Sequence, residues 1–390
     1  MTAVAPDLRR ARLAVTLAFA ANGLTFGTWA ARIPQVRDGL GLSDTVLGFA
    51  LLSIAVGAVA AMPIAGGLIA RHGSRNLTFV GTSLMALGLA LAGLAPSLPV
   101  LVLALACLGA GSGWQDVSMN AHGVEVERRY GRPILSSFHG LFSLGGMLGA
   151  AVGGLAAGQN LPPGVHFVLI AAVVALLGAL SYAGMLAGQV DHAEDTPLFQ
   201  RPPAALIGLG LLCFGSMMTE GSVADWSAVL MVGPLGADAA TAAFAFAAFS
   251  LVMTGGRLAG DRIVQRFGPA AVTRAGAVVG VIGFGLALVV GTPLSGIVGF
   301  AMVGGGLASM VPVILRAAAR FPGVSPGTGI AATTTLGYLG FVVGPPLIGF
   351  AAGQVGLRLA LGSMAAVLAL VAVFARRTEL AEAPSSSATG

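Results

Sequence analysis

The sequence contains no lysine, only two cysteines and 6% aromatic residues, and charged side chains fill just 9% of its 390 positions, roughly a third of the share usual in soluble domains. Charge this sparse cannot keep a chain of this length in water. A soluble enzyme, a nucleic-acid binder and a disordered chain are therefore excluded. Cys107 and Cys213 each lie inside an apolar run, which leaves no disulfide framework. The five histidines, at 72, 122, 139, 166 and 192, show no ligand spacing, so no metal or other cofactor is expected. No nucleophile and base pattern suggests an enzyme.

Apolar residues make up 56% of the chain, and they are gathered into long runs. Twelve of these have the length needed to cross about 30 Å of hydrocarbon: 12–31, 44–68, 77–95, 99–121, 134–157, 165–187, 204–231, 239–260, 270–290, 293–315, 327–352 and 356–375. They are continuously apolar and do not alternate, which predicts helices and not barrel strands. The first run is too long for the core of a secretion signal and ends at Arg32-Ile33-Pro34 without a small-residue cleavage site, so no cleaved leader is expected.

The arginines set the expected orientation. With the N-terminus in the cytoplasm, 17 of the 20 fall inside and only Arg32, Arg37 and Arg358 fall outside, which predicts an even number of spans with both termini cytoplasmic. This topology accounts for the net charge of +5 without a nucleic-acid partner. The longest polar interval comes midway, predicting an N-terminal six-helix bundle (1–188), a cytoplasmic linker (189–203), a C-terminal six-helix bundle (204–377) and a disordered tail (378–390). At an offset of 195 residues ten glycines of the first half fall on glycines of the second, among them Gly73/Gly268, Gly109/Gly304, Gly111/Gly306, Gly145/Gly340 and Gly149/Gly344. Chance gives about four. A parallel repeat of six-helix units is the build of transporters whose halves rock about a central site.

Between the second and third runs stands Gly66-Gly67-Leu68-Ile69-Ala70-Arg71-His72-Gly73-Ser74-Arg75, and between the eighth and ninth Gly256-Arg257-Leu258-Ala259-Gly260-Asp261-Arg262 followed by Arg266-Phe267-Gly268. These stretches resemble the loop signature of the major facilitator superfamily, although the usual Asp of the first falls on Ala70. Gly111-x-Gly113-Trp114-x-Asp116-x-x-x-Asn120 and Ser137-Phe138-His139-Gly140 resemble the fucose-permease-type branch, and Glu220-Gly221-x-x-x-Asp225-Trp226-Ser227 with Gly337-Tyr338-Leu339-Gly340-Phe341 a MosC-like subgroup within it. In fucose permeases a Glu implicated in proton coupling stands at the position of Asp116 and an Asn at that of His139. The resemblance thus implies proton-linked transport more firmly than it implies fucose.

Polar residues without a counterpart in the other half are candidates for mechanism. At the same offset Asp116 meets Val311, Asn120 meets Leu315, His139 meets Thr334, Glu220 meets Thr25 and Asp225 meets Ala30. Ionisable groups within spans are functional candidates by default, because an unpaired charge there costs several kcal/mol or takes up a proton. Asp116, His139 and Glu220 are expected to carry protons. Asn22, Trp114, Asn120, His139, Glu220 and Tyr338 are expected to line a substrate cavity, since hydroxyl groups need hydrogen-bond partners and sugar faces stack on rings. Glu220 and Asp225 are 140° apart on a helix and have different roles. Asp225 is expected to pair with Arg32 as an outer gate, while Arg71, Arg257, Asp261 and Arg262, with Arg75 and Arg266, form ion pairs of an inner one.

Gly109-x-Gly111-x-Gly113 is embedded in a span with no preceding strand, which excludes a nucleotide loop. The fifth span lacks the Gly-Pro expected by analogy with drug–proton antiporters, whereas Gly344-Pro345-Pro346 in the eleventh has it. The sequence therefore predicts an all-α membrane protein of twelve transmembrane helices in two pseudo-symmetric bundles, a monomer in a bacterial inner membrane. Its expected activity is proton-coupled symport of a small sugar- or cyclitol-like solute; the alternative is proton-driven efflux of an amphipathic compound. The expected partners are that solute, protons and the lipid bilayer.

Overall fold

The computed structural model describes residues 6–131, 134–187, 206–322, 324 and 326–379. The predicted linker 189–203 lies outside these residues, as does nearly all of the predicted tail. Six helices precede the linker: α1 (Pro6–Gly39), α2 (Asp44–His72), α3 (Ser74–Gly93), α4 (Leu98–Tyr130), α5 (Leu135–Gly158) and α6 (Pro163–Gly184). After it come α7 (Ile207–Val232), α8 (Ala239–Phe267), α9 (Pro269–Gly285), α10 (Pro293–Leu307), α11 (Met310–Ala319), α12 (Pro326–Val355) and α13 (Leu357–Phe374). A π turn at Leu286–Val290 prolongs α9, and α10 with α11 form one span interrupted at residues 308–309. Twelve spans long and apolar enough to cross a bilayer result, as the sequence predicted. Helices are the only open-ended way to satisfy every backbone group in hydrocarbon.

The largest departures from the expected boundaries are at the ends of α1 and α4. α1 runs through Pro34 to Gly39, because proline removes only one intrahelical bond and neighbouring helices can compensate. α4 continues to Tyr130, well past the predicted end at 121, and is closed by Gly131 in the left-handed conformation.

The repeat is visible at the level of single contacts. α2 and α8 begin and end 195 residues apart. Both start on a side-chain cap, Ser43 accepting from Val46 N and Asp238 from Thr241 N. Both stop at a glycine of positive φ, Gly73 at 80° and Gly268 at 82°. The Cα of Gly109 lies against the carbonyl of Ile54, and that of Gly304 against the carbonyl of Phe249; Gly111 and Gly306 likewise meet the equivalent backbones of Gly81 and Gly276. The first two contacts pair α2 with α4 and α8 with α10, and the other two α3 with α4 and α9 with α10, at distances that no side chain would allow.

Even parity puts the start of α1 and the end of α13 on one face, called here the arginine-rich face; the opposite one is the far face. Within the first six helices α1 packs on α5 and α6, and α4 on α2 and α3; among the later ones α12 packs on α7, and α10 on α8 and α9. The two sets meet chiefly along α5–α8 and α2–α12. At the far face this meeting is backbone-close. Gly48 touches the Pro345 carbonyl and Gly349, Thr45 Oγ1 donates to Gly349 O at 3.3 Å, and Gly154 and Gly158 rest against Ala243 and Ala240.

Gly109→Val and Gly304→Val are expected to drive a side chain into a backbone carbonyl and cost roughly 1–3 kcal/mol or more, whereas Gly67→Ala, with open space around it, is neutral or stabilising. Thermal unfolding of the purified variants checks this. The backbone N–H of Thr241, with its hydroxyl, holds the Asp238 carboxyl below the usual carboxylate range. That contribution is complete at neutral pH and is lost as pH falls through the lowered pKa. Asp238→Ala is accordingly expected to lower the melting temperature at neutral pH, with the gap to wild type closing in acid.

Candidate functional site

Four helices bring the polar residues of the interior together. Asp116 lies 18 residues along α4 from its far-face start, about 27 Å, and Arg257 lies 18 residues along α8 from the same face. Glu220 is 13 residues along α7 from the opposite face and Tyr338 is 12 along α12, about 20 Å and 18 Å. All four therefore reach the middle of the molecule.

Asp116 is held from both sides. Asn120, one turn on, donates to its Oδ1 at 3.1 Å and to its backbone carbonyl at 2.8 Å. The Tyr338 hydroxyl donates to Oδ2 at 3.0 Å. Since Asp116 is on α4 and Tyr338 on α12, this bond joins the two halves.

The second station was not anticipated. Arg257 donates to Glu220 Oε1 at 3.3 Å and to the hydroxyl of Ser143 on α5 at 2.8 Å. It thus pairs an acid of its own half and touches the other half as well. The two ionic side chains keep 20% and 21% of their surface open, so neither is sealed in dry packing. His139, one turn before Ser143, sits edge-on to Phe19 at 5.0 Å, within electrostatic reach of Arg257. His139 is exposed, with Phe19 of α1 and Arg257 of α8 as neighbours. Glu220 lies within electrostatic reach of Tyr338, so the two stations form one site.

Arg257 thus stands with Glu220 and Ser143 in mid-membrane and not with the loop cations it was expected to join. The signal that could have found it is its counterpart at the 195 offset, Met62, which makes Arg257 as symmetry-breaking as Glu220. Its place inside the loop motif masked it. Ser143 carried no signal, because a serine in a span usually bonds its own helix.

The outer gate pair is also corrected. Arg32 is 1% exposed and donates to the carbonyls of Leu161 and Gly153, at 2.5 and 3.5 Å, bracing the far end of α5 and the turn that leads to α6. A guanidinium at the end of a helix neutralises its carbonyls, and that environment outcompetes a carboxylate some distance away. Asp225 is half-buried on α7, and among the described residues no ion pair joins it to Arg32. Asp261 does form an ion pair, with Arg316 of α11 at 2.8 Å, within its own half. Arg71 and Arg262 are exposed, Arg75 stacks on Tyr182 at 4.1 Å and Arg266 on Phe267. Among the described residues these cations form no gate between the halves in this conformation.

Two expected cavity residues bond at helix interfaces. Asn22 is buried and donates to Gln115 Oε1 at 2.9 Å, while Gln115 donates onward to Thr82 and to the Ala18 carbonyl, stitching α1, α3 and α4. Trp114 points the other way from Asp116; its indole N–H donates to Ala61 O at 3.0 Å and it packs against the buried cluster of Ala65, Ile69 and Leu77.

A family model described as Major Facilitator Superfamily matches residues 15–339. The chain belongs to that superfamily. It is 36% identical over 378 residues to an uncharacterized MFS-type transporter of Yersinia pestis, covering 96% of this chain and 97% of the relative. It is also 31% identical to the membrane protein MosC of Rhizobium meliloti, covering 92% and 88%. Among solved structures it is similar in fold to a bacterial homolog of the human lysosomal transporter Spinster in an inward-facing, unoccupied conformation, with TM-score 0.74, 15% identity and coverage of 98% and 99%. The nucleoside transporter NupG gives TM-score 0.71 at 14% identity, with coverage of 96% and 99%. The protein is thus a multi-pass membrane transporter of the major facilitator type and not an enzyme.

Arg32→Ala should leave the part-buried Leu161 carbonyl without its charged donor and cost about 1–3 kcal/mol of stability. Trp114→Phe should cost only about 1 kcal/mol and leave transport rates within about twofold of wild type. Melting curves and uptake rates on both variants check the assignment of these residues to the scaffold.

Proposed function

We propose that this transporter is a proton-coupled symporter of a small polar, sugar- or cyclitol-like solute, of the fucose-permease-type branch, acting by alternating access between two six-helix bundles, 1–188 and 204–377. The arginine-rich face is cytoplasmic in a bacterial inner membrane, and the conformation described is open toward it. Supporting this are the backbone-close contacts at the far face and the exposed His139 at the other.

One observation carries the reading: the bonds that join the halves in mid-membrane involve groups that titrate, or are paired with one that does. Tyr338 donates to the Asp116 carboxylate, and the arginine that reaches across to Ser143 is the partner of Glu220. Protonating Asp116 turns a charge-assisted bond into an ordinary neutral one, a loss of about half its strength. Protonating Glu220 removes the counter-charge of Arg257. Proton occupancy therefore acts directly on what holds the halves together, which is what coupling demands of a two-state element. His139 is the proton relay on the open side, and Asn120 orients Asp116. Asp225, further toward the far face on α7, belongs to the path that opens outward.

The test uses proteoliposomes with an imposed pH gradient and a solute found by thermal stabilisation of the pure protein. Solute moving with protons supports symport; movement against them supports export of an amphipathic compound. Asp116→Asn is expected to abolish uphill accumulation while leaving downhill exchange within about tenfold of wild type. Full accumulation by that variant would overturn the role of Asp116.

A further inference from the structure

Arg257 has donors to spare. A guanidinium offers five N–H groups in a planar fork, and here one donates to Ser143 and one to a single oxygen of Glu220. One fifth of its side-chain surface is open, on a helix that faces the space between the halves. It also cannot shed its charge by deprotonation, whereas Glu220 can be neutralised by taking up a proton. A permanent cation thus lies one contact from a titratable acid, at a 3.3 Å separation longer than a tight charge-assisted bond.

From this geometry, and resting on the symport reading above, we infer that the transported solute carries a carboxylate, which binds Arg257 when Glu220 is protonated. With Glu220 ionised, the Arg257 charge is already answered and an incoming anion meets its repulsion. With Glu220 protonated, the cavity presents an uncompensated guanidinium whose fork matches a carboxylate in a bidentate pair. The proton stays on Glu220, and the anion takes the place of its charge. No covalent bond changes, and one proton and one carboxylate cross together as a neutral pair.

The other groups around Glu220 fit this division of labour. Cys213 lies on its own helix, Tyr338 comes from α12 and Arg257 from α8. Beyond Arg257 are Ser143 and His139 of α5, and beyond Tyr338 is Asp116 of α4. Arg257 is the permanent cation of this set. Both carboxylate oxygens of Asp116 already accept hydrogen bonds, so Asp116 is less available than Glu220 to bind a cationic group of a solute. A solute bearing an amine would have to break the Glu220–Arg257 pair and leave the guanidinium unanswered, a costly state inside a membrane.

The experiment measures thermal stabilisation of the purified full-length protein by matched solutes in three charge classes. Galacturonate, gluconate and quinate represent the acids, galactose and myo-inositol the neutral polyols, and galactosamine the amines. The expected result is stabilisation by at least one acid, stronger at mildly acidic than at mildly alkaline pH, and weak or absent for neutral and amino compounds. Arg257→Gln should weaken acid binding between about tenfold and about a hundredfold, the effect of losing hydrogen bonds to a charged group. Glu220→Gln, which imitates the protonated acid, should retain acid binding and lose its pH dependence, so the inference stays testable if Arg257→Gln does not fold. The inference is overturned if no acid binds, if neutral or amino solutes bind and acids do not, or if Glu220→Gln abolishes acid binding. Uptake driven by a pH gradient separates the two claims. Acid binding without proton-driven movement sinks the symport reading alone, while proton-driven uptake confined to neutral or amino solutes sinks only the carboxylate.

Discussion

Helices surrounded by lipid gain nothing by hiding apolar side chains from one another, because hydrocarbon tails are as apolar as leucine. What holds this molecule together is close approach of backbones, and close approach requires residues without bulk. The 59 glycines supply it. Gly109 against Ile54 and Gly304 against Phe249 are one contact made twice, 195 residues apart. The same economy operates where the halves meet at the far face. Helix positions are therefore fixed by a surface pattern of small residues, and the few polar groups can be spared for other work.

Those polar groups are placed where the repeat breaks. Asp116, His139, Glu220 and Arg257 each face an uncharged residue in the opposite half, so none is needed by the shared architecture. They converge from α4, α5, α7 and α8 on the mid-membrane space between the bundles, joined by Tyr338 of α12. The symmetric part of the sequence supplies the helix packing, and the asymmetric part supplies the mid-membrane polar contacts.

Nearly all of the fold was legible in the sequence. Span number, helix type and the repeat follow from runs of hydrophobicity and from glycine register, which depend on local sequence alone. The interior site was legible only in part. Asp116, Asn120, Glu220, His139 and Tyr338 stood out as polar residues in apolar surroundings, and the structure gathers them. Their partners did not, because partnership depends on which face of a helix meets which neighbour. Arg32 could be matched with Asp225 by depth, yet it is the carbonyls of α5 and of the turn after it that lie within its reach. Asn22 and Trp114 have the chemistry of binding residues but turn toward helix interfaces, a difference of rotation that composition does not encode. Arg257 was hidden by belonging to a recognisable loop motif, which offered a sufficient explanation for a residue that has a second role.

The far-face seam is made of glycine, alanine, backbone carbonyls and one threonine hydroxyl, with no ion pair crossing it among the described residues. Dispersion between such atoms falls away within an ångström or so and is blind to dissolved electrolyte. Under the proposed alternating access such a seam would part as a zip and not as a magnet, one small contact at a time, without a desolvated charge to rehydrate. Ionic strength should hardly alter how often it parts, and a lone methyl group inserted along it would act as a wedge that biases the resting population toward the opposite opening.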